Sequence, residues 1–188
     1  MLLVMIIPIN LLSPIGSPAG GSQPIDTELI LKRMAYDKLY CEVLESIKEF
    51  EGLRLKAYYC PAGYKTIGYG HLIRKHENFG DSITVEQADS LLEIDFEASI
   101  QTIINFLDYN RYDDANKLLA LSHFVYNIGA GGFEKSTLLQ LVRDDKSITY
   151  EIMKWIHYMS PDSTKVRSNQ LIKMRSYEEK LFNKGIRV

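Results

Sequence analysis

Apolar residues recur at steps of three and four positions along much of the chain, a spacing typical of amphipathic helices. The first clear stripe is formed by Val43, Leu44, Ile47 and Phe50. It predicts a helix that begins near Asp37, is buried on one face and ends at Glu51, with Gly52 as its C-cap. A shorter helix is predicted before it, with Asp26 or Thr27 as the N-cap.

The pattern changes after Gly52, where residues 55–72 combine apolar and aromatic residues with Pro and Gly and therefore predict short strands joined by turns. Thr84 and Gln87 have the spacing of a capping box. The helix that they open has about 20 residues and would span about 30 Å, enough to connect two lobes. Further helices are predicted from the apolar run that ends at Gly129, after Ser136, and over residues 149–160 and 168–184.

The composition fits a globular protein of one domain or two small lobes, with 188 residues, 46% hydrophobic and 24% charged. The formal net charge of −2 argues against general nucleic-acid binding. Two cysteines, Cys41 and Cys60, are too few for a disulfide scaffold. The four histidines show no paired ligand spacing, so we expect neither a metal site nor a cofactor.

Residues 1–25 differ from the rest because they carry no charged side chain and contain four of the six prolines. Their apolar stretch is shorter than the run of about 20 residues that a membrane helix needs. Three interpretations stay open: a loosely packed leader, an export signal with small residues at a cleavage site, and a weak anchor in transient contact with a membrane. We expect residues 26–188 to form the folded domain.

The candidate chemistry lies in the segment EGLRLKAYYCPAGYKTIGYGH, residues 51–71. An acid, Glu51, ends an amphipathic helix, and a Gly-rich hairpin follows directly. Such a hairpin returns a thiol, Cys60, and a hydroxyl, Thr66, to the neighbourhood of the acid. Hydrolysis of a glycosidic bond needs an acid for the leaving oxygen and a site for one water, and this segment offers both.

Two long motifs carry a family resemblance: FEGLRLKAY…G..TIGYGH over residues 50–71, and ALSHFVYNIGAGGFEKSTLL over residues 120–139. In this order they resemble the phage-type lysozymes of glycoside hydrolase family 24, the endolysins of lambdoid and T-even phages. The resemblance extends over residues 41–184 and implies a mainly helical α+β fold with the glycan in a cleft between two lobes. The implied parts are an N-terminal lobe with a small β-sheet (26–83), an inter-lobe helix (84–105) and a helical C-terminal lobe (106–188).

The resemblance also implies roles for three catalytic residues. Glu51 matches the family's general acid, whose pKa must be raised by partial burial. Thr66 matches the threonine that hydrogen-bonds the catalytic water. Cys60 stands where better-known members carry aspartate, although some members also read C-P-A-G at this turn. Cys60 is open to three interpretations: a thiolate that positions the water, a nucleophile that would retain the anomeric configuration, and a structural residue.

Five further residues are predicted to belong to the substrate-binding region on the same resemblance. His71 is expected to give hydrogen-bonding support, and Tyr126 and Asn127 are expected to line the sugar-binding cleft. Phe133 and Ser136 are placed in the substrate-binding set, with core packing and helix capping as their alternative roles.

The sequence therefore predicts a muramidase that hydrolyses the β-1,4 bond between N-acetylmuramic acid and N-acetylglucosamine of peptidoglycan. Two alternatives stay open: a lytic transglycosylase that uses Glu51 alone, and a catalytically inactive peptidoglycan-binding domain. We expect a monomer that is made in the cytoplasm and acts in the periplasm or on the cell wall, by an export route that the sequence leaves open.

A disulfide between Cys41 and Cys60 would cage the site. In a continuous helix the ten residues from Cys41 to Glu51 span about 15 Å, whereas a disulfide needs Cα atoms within about 7 Å. The bond would therefore require a rearranged N-terminus, and it is the less favoured expectation.

Overall fold

The computed structural model describes residues 26–60, 63–160 and 162–184. Within them the helices are α1 (Thr27–Glu51), α2 (Val85–Leu107), α3 (Ala115–Ile128), α4 (Ala130–Glu134), α5 (Thr137–Arg143), α6 (Thr149–Ile152) and α7 (Asn169–Asn183). The strands are β1 (Arg54–Tyr59), β2 (Lys65–Gly68), β3 (His71–Leu72), β4 (His157–Met159) and β5 (Lys165–Arg167). No helix of this part is long and apolar enough to span a bilayer. The predictions for residues 1–25 lie outside it.

Helix α1 is continuous over 25 residues, so the prediction of two helices separated near Asp37 is wrong. Asp37 does not cap a helix and instead lies 4.0 Å from Arg33 on the helix surface. The true N-cap is Asp26, whose carboxylate accepts a hydrogen bond from the backbone N–H of Leu29 at 3.0 Å. Tyr36 is buried against other aromatic rings, and this packing holds the helical turns before Asp37 in place. The apolar residues of the first turns stay exposed, namely Leu29, Ile30, Leu31 and Met34.

The predicted strands after α1 form a three-stranded antiparallel sheet in the order β1-β2-β3. Its middle strand is buried through Ile67 and packs against α2. The capping box that opens α2 is confirmed, because Thr84 and Gln87 each accept a hydrogen bond from the other's backbone N–H. The backbone N–H of Ile83 also donates to the Leu55 carbonyl at 2.9 Å, which ties β1 to the start of α2.

Helix α3 forms the centre of the molecule and packs against α1, α2 and α7. Every residue from Leu118 to Val125 is buried, as expected for a helix that is apolar on all sides. Its predicted end at Gly129 is confirmed: this glycine has φ 80° and its N–H donates to the Val125 carbonyl at 2.7 Å. The observed architecture is the expected mainly helical α+β fold with small antiparallel sheets.

The prediction of a helix over residues 149–160 is wrong beyond Ile152, where a second hairpin begins. Strands β4 and β5 pair antiparallel around a tight turn. The backbone N–H of Ser160 donates to the Thr164 carbonyl at 2.9 Å, and Asp162 accepts from the Thr164 N–H at 3.1 Å. Short polar side chains that bond to nearby backbone stabilise a turn at the expense of a helix.

Candidate active site

Glu51 is the last residue of α1 and is half-buried. Helix α1 ends there because Gly52 adopts φ 71° and donates its N–H to the Lys48 carbonyl at 3.0 Å, a conformation that suits glycine. The turn between β2 and β3 approaches the carboxyl from the other side. A Cβ atom added at Gly70, which has φ +96°, would lie 3.9 Å from Glu51 Oε2. The acid therefore sits at the junction of the sheet and the helices.

Burial raises the pKa of the Glu51 carboxyl above its ordinary value, because a carboxylate loses hydration when it leaves water. Three neighbours on α3 and α7 act in the opposite direction: the charges of His123 and Arg175 and a hydrogen bond from Asn127 favour the ionised form. Burial is the larger effect, so the carboxyl holds its proton to a higher pH than an exposed glutamate. A group that stays protonated in this way can act as a general acid.

The hairpin formed by β1 and β2 brings Cys60 and Thr66 to one face. Thr66 is opposite Tyr58 in the ladder, and the backbone N–H of Cys60 donates to the Tyr64 carbonyl at 2.9 Å, so the pairing continues to the turn. Directly opposed residues share a face of the sheet, and so do alternate residues of one strand. Cys60, Tyr58 and Thr66 therefore lie on the same face.

Thr66 and Cys60 differ in their exposure. Thr66 is buried, and within the described part of the chain its hydroxyl makes one long contact, of 3.4 Å, to the Tyr58 carbonyl. An oxygen held this loosely keeps lone pairs for a further hydrogen bond. Cys60 is half-buried at the hairpin turn and carries a free thiol. The pair offers one hydroxyl and one thiol in a partly sheltered position.

Cys41 is also a free thiol, exposed on α1. Helix α1 runs unbroken from Thr27 to Glu51. Cys41 is therefore separated from Glu51 by ten residues of continuous helix, as expected. The structure has no disulfide between Cys41 and Cys60.

His71 is buried, and both of its ring nitrogens face carboxylates. Nδ1 lies 2.7 Å from Asp95 and Nε2 lies 3.1 Å from Glu77. The hydrogen bond to Asp95, more than that to Glu77, raises the pKa of His71. This arrangement fixes β3 to α2 and to the following loop. It leaves no ring nitrogen free for a sugar and fits the expected supporting role.

Tyr126 and Asn127, at the end of α3, both reach the junction around Glu51. The Tyr126 hydroxyl donates to the Tyr69 carbonyl at 2.8 Å and so connects α3 to the β2–β3 turn. Asn127 bonds to Glu51 and accepts a hydrogen bond from Arg175 Nη2 at 2.5 Å. The structure therefore brings both predicted residues to the acid.

Phe133 and Ser136 do not fit a direct contact with substrate. Phe133 is fully buried and packs edge-on against Phe106 and Phe124. Ser136 caps α5 by accepting from the Leu139 N–H at 3.2 Å. The prediction of a substrate contact is corrected here for Phe133, because a side chain enclosed by other aromatic rings has no surface for a sugar. For Ser136 the capping role is confirmed.

Sequence reasoning missed a group of buried charged residues behind Glu51. We name it the buried charge cluster: His123 on α3, and Arg175 and Glu178 on α7, exposed by 1%, 0% and 0%. A signal was present in the sequence, because a histidine inside the apolar run KLLALSHFVYNIG is costly to bury without a charged partner. Glu178 is that partner, and it also pairs with Arg175, three residues before it on the same helix.

Comparison with known proteins agrees with this geometry. The phage lysozyme family model matches residues 48–178. The endolysin of Acyrthosiphon pisum secondary endosymbiont phage 1 is 40% identical over 148 residues, which cover 72% of this chain and 91% of that protein. The endolysin of Bacillus phage PZA is 34% identical over 143 residues, which cover 74% of this chain and 52% of that longer protein.

Solved structures give the same result. The muramidase domain of SpmX from Asticaccaulis excentricus aligns with a TM-score of 0.64 at 30% identity and covers 76% of this chain and 95% of its own. The endolysin from Escherichia coli O157:H7 phage FAHEc1 aligns with a TM-score of 0.63 at 29% identity, over 76% of this chain and 90% of its own. The chain belongs to the phage lysozyme family, and it is an enzyme of the lysozyme class, a peptidoglycan hydrolase.

Proposed function

We propose that this protein is an endolysin-type muramidase that hydrolyses the β-1,4 bond between N-acetylmuramic acid and N-acetylglucosamine. The observation that carries the proposal is Glu51: a half-buried carboxyl with a raised pKa, at the junction of the sheet and the helices, in a chain of the phage lysozyme family. A residue with a purely structural role is rarely both accessible to solvent and shifted in its pKa in this way.

In the proposed reaction the Glu51 carboxyl gives its proton to the glycosidic oxygen as the bond to the anomeric carbon breaks. The leaving sugar departs as an alcohol. One water adds to the anomeric carbon and loses a proton to bulk solvent, and the Glu51 carboxylate takes up a proton from solvent, which restores the acid for the next turnover. Burial favours the protonated form of Glu51 before the step, and the charges of His123 and Arg175 favour its carboxylate afterwards.

The water site is proposed to lie on the hairpin face that Thr66 and Cys60 share. The Thr66 hydroxyl has capacity to hold the water, because its one contact within the described residues is long. Cys60 takes the place next to it, where a thiolate could orient the same water. This assignment rests on strand register and on the family resemblance.

The glycan-binding set is proposed to include Tyr126 and Asn127, which lie beside Glu51, with His71 as a support beneath the β2–β3 turn. The substrate is the bacterial cell wall, and that is where the enzyme is proposed to act. Transient membrane contact through residues 1–25 and a monomeric state stay predictions.

The test is digestion of purified peptidoglycan with the full chain, followed by mass spectrometry of the released muropeptides. We expect products with a reducing-end muramic acid, and none from a Glu51→Gln variant. Anhydro-muramic products would replace this proposal with a lytic transglycosylase that uses Glu51 alone. Folded protein that binds the wall and releases nothing would indicate a binding domain on a lysozyme fold.

A further inference from the structure

The buried charge cluster is a connected unit between α3 and α7. His123 Nδ1 lies 2.7 Å from Glu178 Oε1, and Arg175 Nη1 lies 2.9 Å from Glu178 Oε2. One carboxylate thus holds two basic side chains, and all three side chains are almost completely buried. Arg175 also lies over the face of Phe124, with 4.5 Å between the guanidinium carbon and the ring centroid.

Two routes connect this cluster to Glu51. Through side chains, Arg175 donates to Asn127, and Asn127 bonds to Glu51. Through the backbone, the His123 ring packs edge-on against Phe50, with 5.8 Å between ring centroids, and Phe50 directly precedes the acid. Gln170 of α7 donates to the Phe50 carbonyl at 2.5 Å and so also fixes the position of Phe50. The cluster therefore contacts both neighbours that fix the position of the carboxyl.

Stability alone does not account for the cluster. Among the described residues, His123 Nε2 and Arg175 Nε are buried without a hydrogen-bond partner, and the Arg175 Nη1–Glu178 Oε2 ion pair lacks hydrogen-bond geometry. Buried ion pairs seldom stabilise a fold more than apolar residues of the same size do. Buried polar atoms without partners are rare, and they call for a functional explanation.

We infer that His123 and Glu178 are positioning residues for Glu51. Glu178 holds His123 and Arg175 at fixed places behind the acid and partly neutralises the positive charge that the Glu51 carboxyl faces. This inference rests on the proposed function, because a cluster that controls the protonation of Glu51 matters only if Glu51 must release a proton and take one back. Neither residue touches the substrate in this account.

The direction of the effect follows from the charges. The positive charges of His123 and Arg175 lower the pKa of Glu51, against the larger effect of burial. Among residues 26–60, 63–160 and 162–184, Glu178 is the anion in contact with both, and it limits their effect. Two tyrosines border this region: Tyr126 interacts with Glu51, and Tyr177 packs on His123. The charged and titratable groups farther out act on these tyrosines, namely Asp95 and Tyr58 on Tyr126, and Glu42 and Glu49 on Tyr177.

The test compares the titration of the Glu51 side-chain carboxyl carbon, followed by NMR, in the full chain and in a His123→Gln variant. The signal is assigned as the one lost in Glu51→Gln. Glutamine removes the ring whose charge lowers the pKa of Glu51 but leaves the Arg175–Glu178 pair in place, so we expect the pKa of Glu51 to rise by about one pH unit. His157→Gln is the matched control, because His157 is exposed on β4, and it should leave the titration unchanged.

A second variant should shift the pKa of Glu51 in the opposite direction. Adding Glu178→Gln to His123→Gln removes an anion with no histidine left to titrate in response, so the pKa of Glu51 should fall relative to the single variant. If His123→Gln fails to fold, His123→Asn takes its place with the same expected rise. An unchanged Glu51 titration in the single variant, or a further rise in the double variant, overturns the inference.

The readout also separates the two proposals. Titration needs no turnover, so it tests the inference even if no muropeptide is released. With active enzyme, the alkaline limb of the kcat/KM profile should move to higher pH in His123→Gln. A cluster that served only stability would lower activity at every pH and leave that limb where it is.

Discussion

On one side, Glu51 faces helices α3 and α7, whose nearby side chains are buried and charged. On the other side it faces the turn between β2 and β3, in a sheet whose first strand is mostly exposed. The helical side is closed by the buried charge cluster and by Asn127. The sheet side presents Thr66 and Cys60 near a turn. In the proposed mechanism this difference separates two tasks: the helical side sets the protonation of the acid, and the sheet side provides the place for water.

We expect the two sides to differ in their tolerance to substitution. A charge buried among fixed partners is costly to alter, because its loss leaves the other charges uncompensated. A position at a half-exposed turn can exchange with water, so its chemistry can vary at small cost to the fold. A cysteine at position 60, in place of the more usual aspartate, is consistent with the tolerant side of the site.

The largest effect is expected from the acid itself. Replacing Glu51 by Gln removes the proton donor but keeps the shape of the side chain, so kcat should fall by about 1,000-fold or more. The melting temperature should not fall, because the amide needs no burial of charge. Glu49→Gln, on the exposed face of the same helix, is the control and should keep wild-type activity. Comparable activity in both variants would remove Glu51 from the mechanism.

The sheet side is tested at Cys60. If its thiolate orients the water, Cys60→Ala should lower kcat by about 100-fold, whereas Cys60→Asp should retain activity because a carboxylate can take the same role. Cys41→Ala, at an exposed thiol of α1, is the matched control. Dye release from labelled cell walls measures all three. Normal turnover in Cys60→Ala would make this cysteine structural.

A smaller effect is expected at His71, with a pH dependence of known sign. The pKa of His71 in the folded protein is raised above its ordinary value of 6.5, first by Asp95. The stabilisation is therefore fully present below that ordinary value and is lost as pH rises through the raised value. His71→Gln should lower the free energy of unfolding by about 1.5 to 3 kcal/mol in acid, and by less in alkaline solution. Denaturant unfolding measures this. The exposed His76→Gln serves as control, and a pH-independent loss would contradict the ion pair.

The smallest effect is expected at the link between the two sides. Tyr126→Phe removes the hydroxyl that donates to the Tyr69 carbonyl, which should cost about 1 kcal/mol of unfolding free energy. Because this bond fixes the β2–β3 turn beside the acid, KM should rise while kcat changes little. Tyr64→Phe, at an exposed tyrosine of the hairpin, should change neither. A fall in kcat with constant KM would instead place the Tyr126 hydroxyl in the chemical step.

Local signals in the sequence predicted much of this fold. The capping box at Thr84, the glycine that ends α1 and the glycine that ends α3 each act through neighbouring residues, and each appears where it was expected. The spacing from Glu51 to Thr66 also placed the candidate chemistry on the correct elements. Such features are visible because their partners lie a few residues away.

Features that depend on distant partners were missed. Helix α1 continues past Asp37 because Tyr36 packs on Tyr112, which is far away in sequence. The second hairpin was mistaken for a helix, although aromatic and β-branched residues flank its polar turn. The buried charge cluster joins α3 to α7, and one apolar helix pattern gives no indication of which charge will meet His123.

The most direct test of the central claim is the pKa of Glu51 in the wild-type full chain, measured by NMR titration of its carboxyl carbon. We expect a value above the ordinary 4.5, because burial outweighs the charges of His123 and Arg175. A value at or below 4.5 would mean that these charges dominate. Glu51 would then be ionised where the enzyme works, and it could not serve as the general acid.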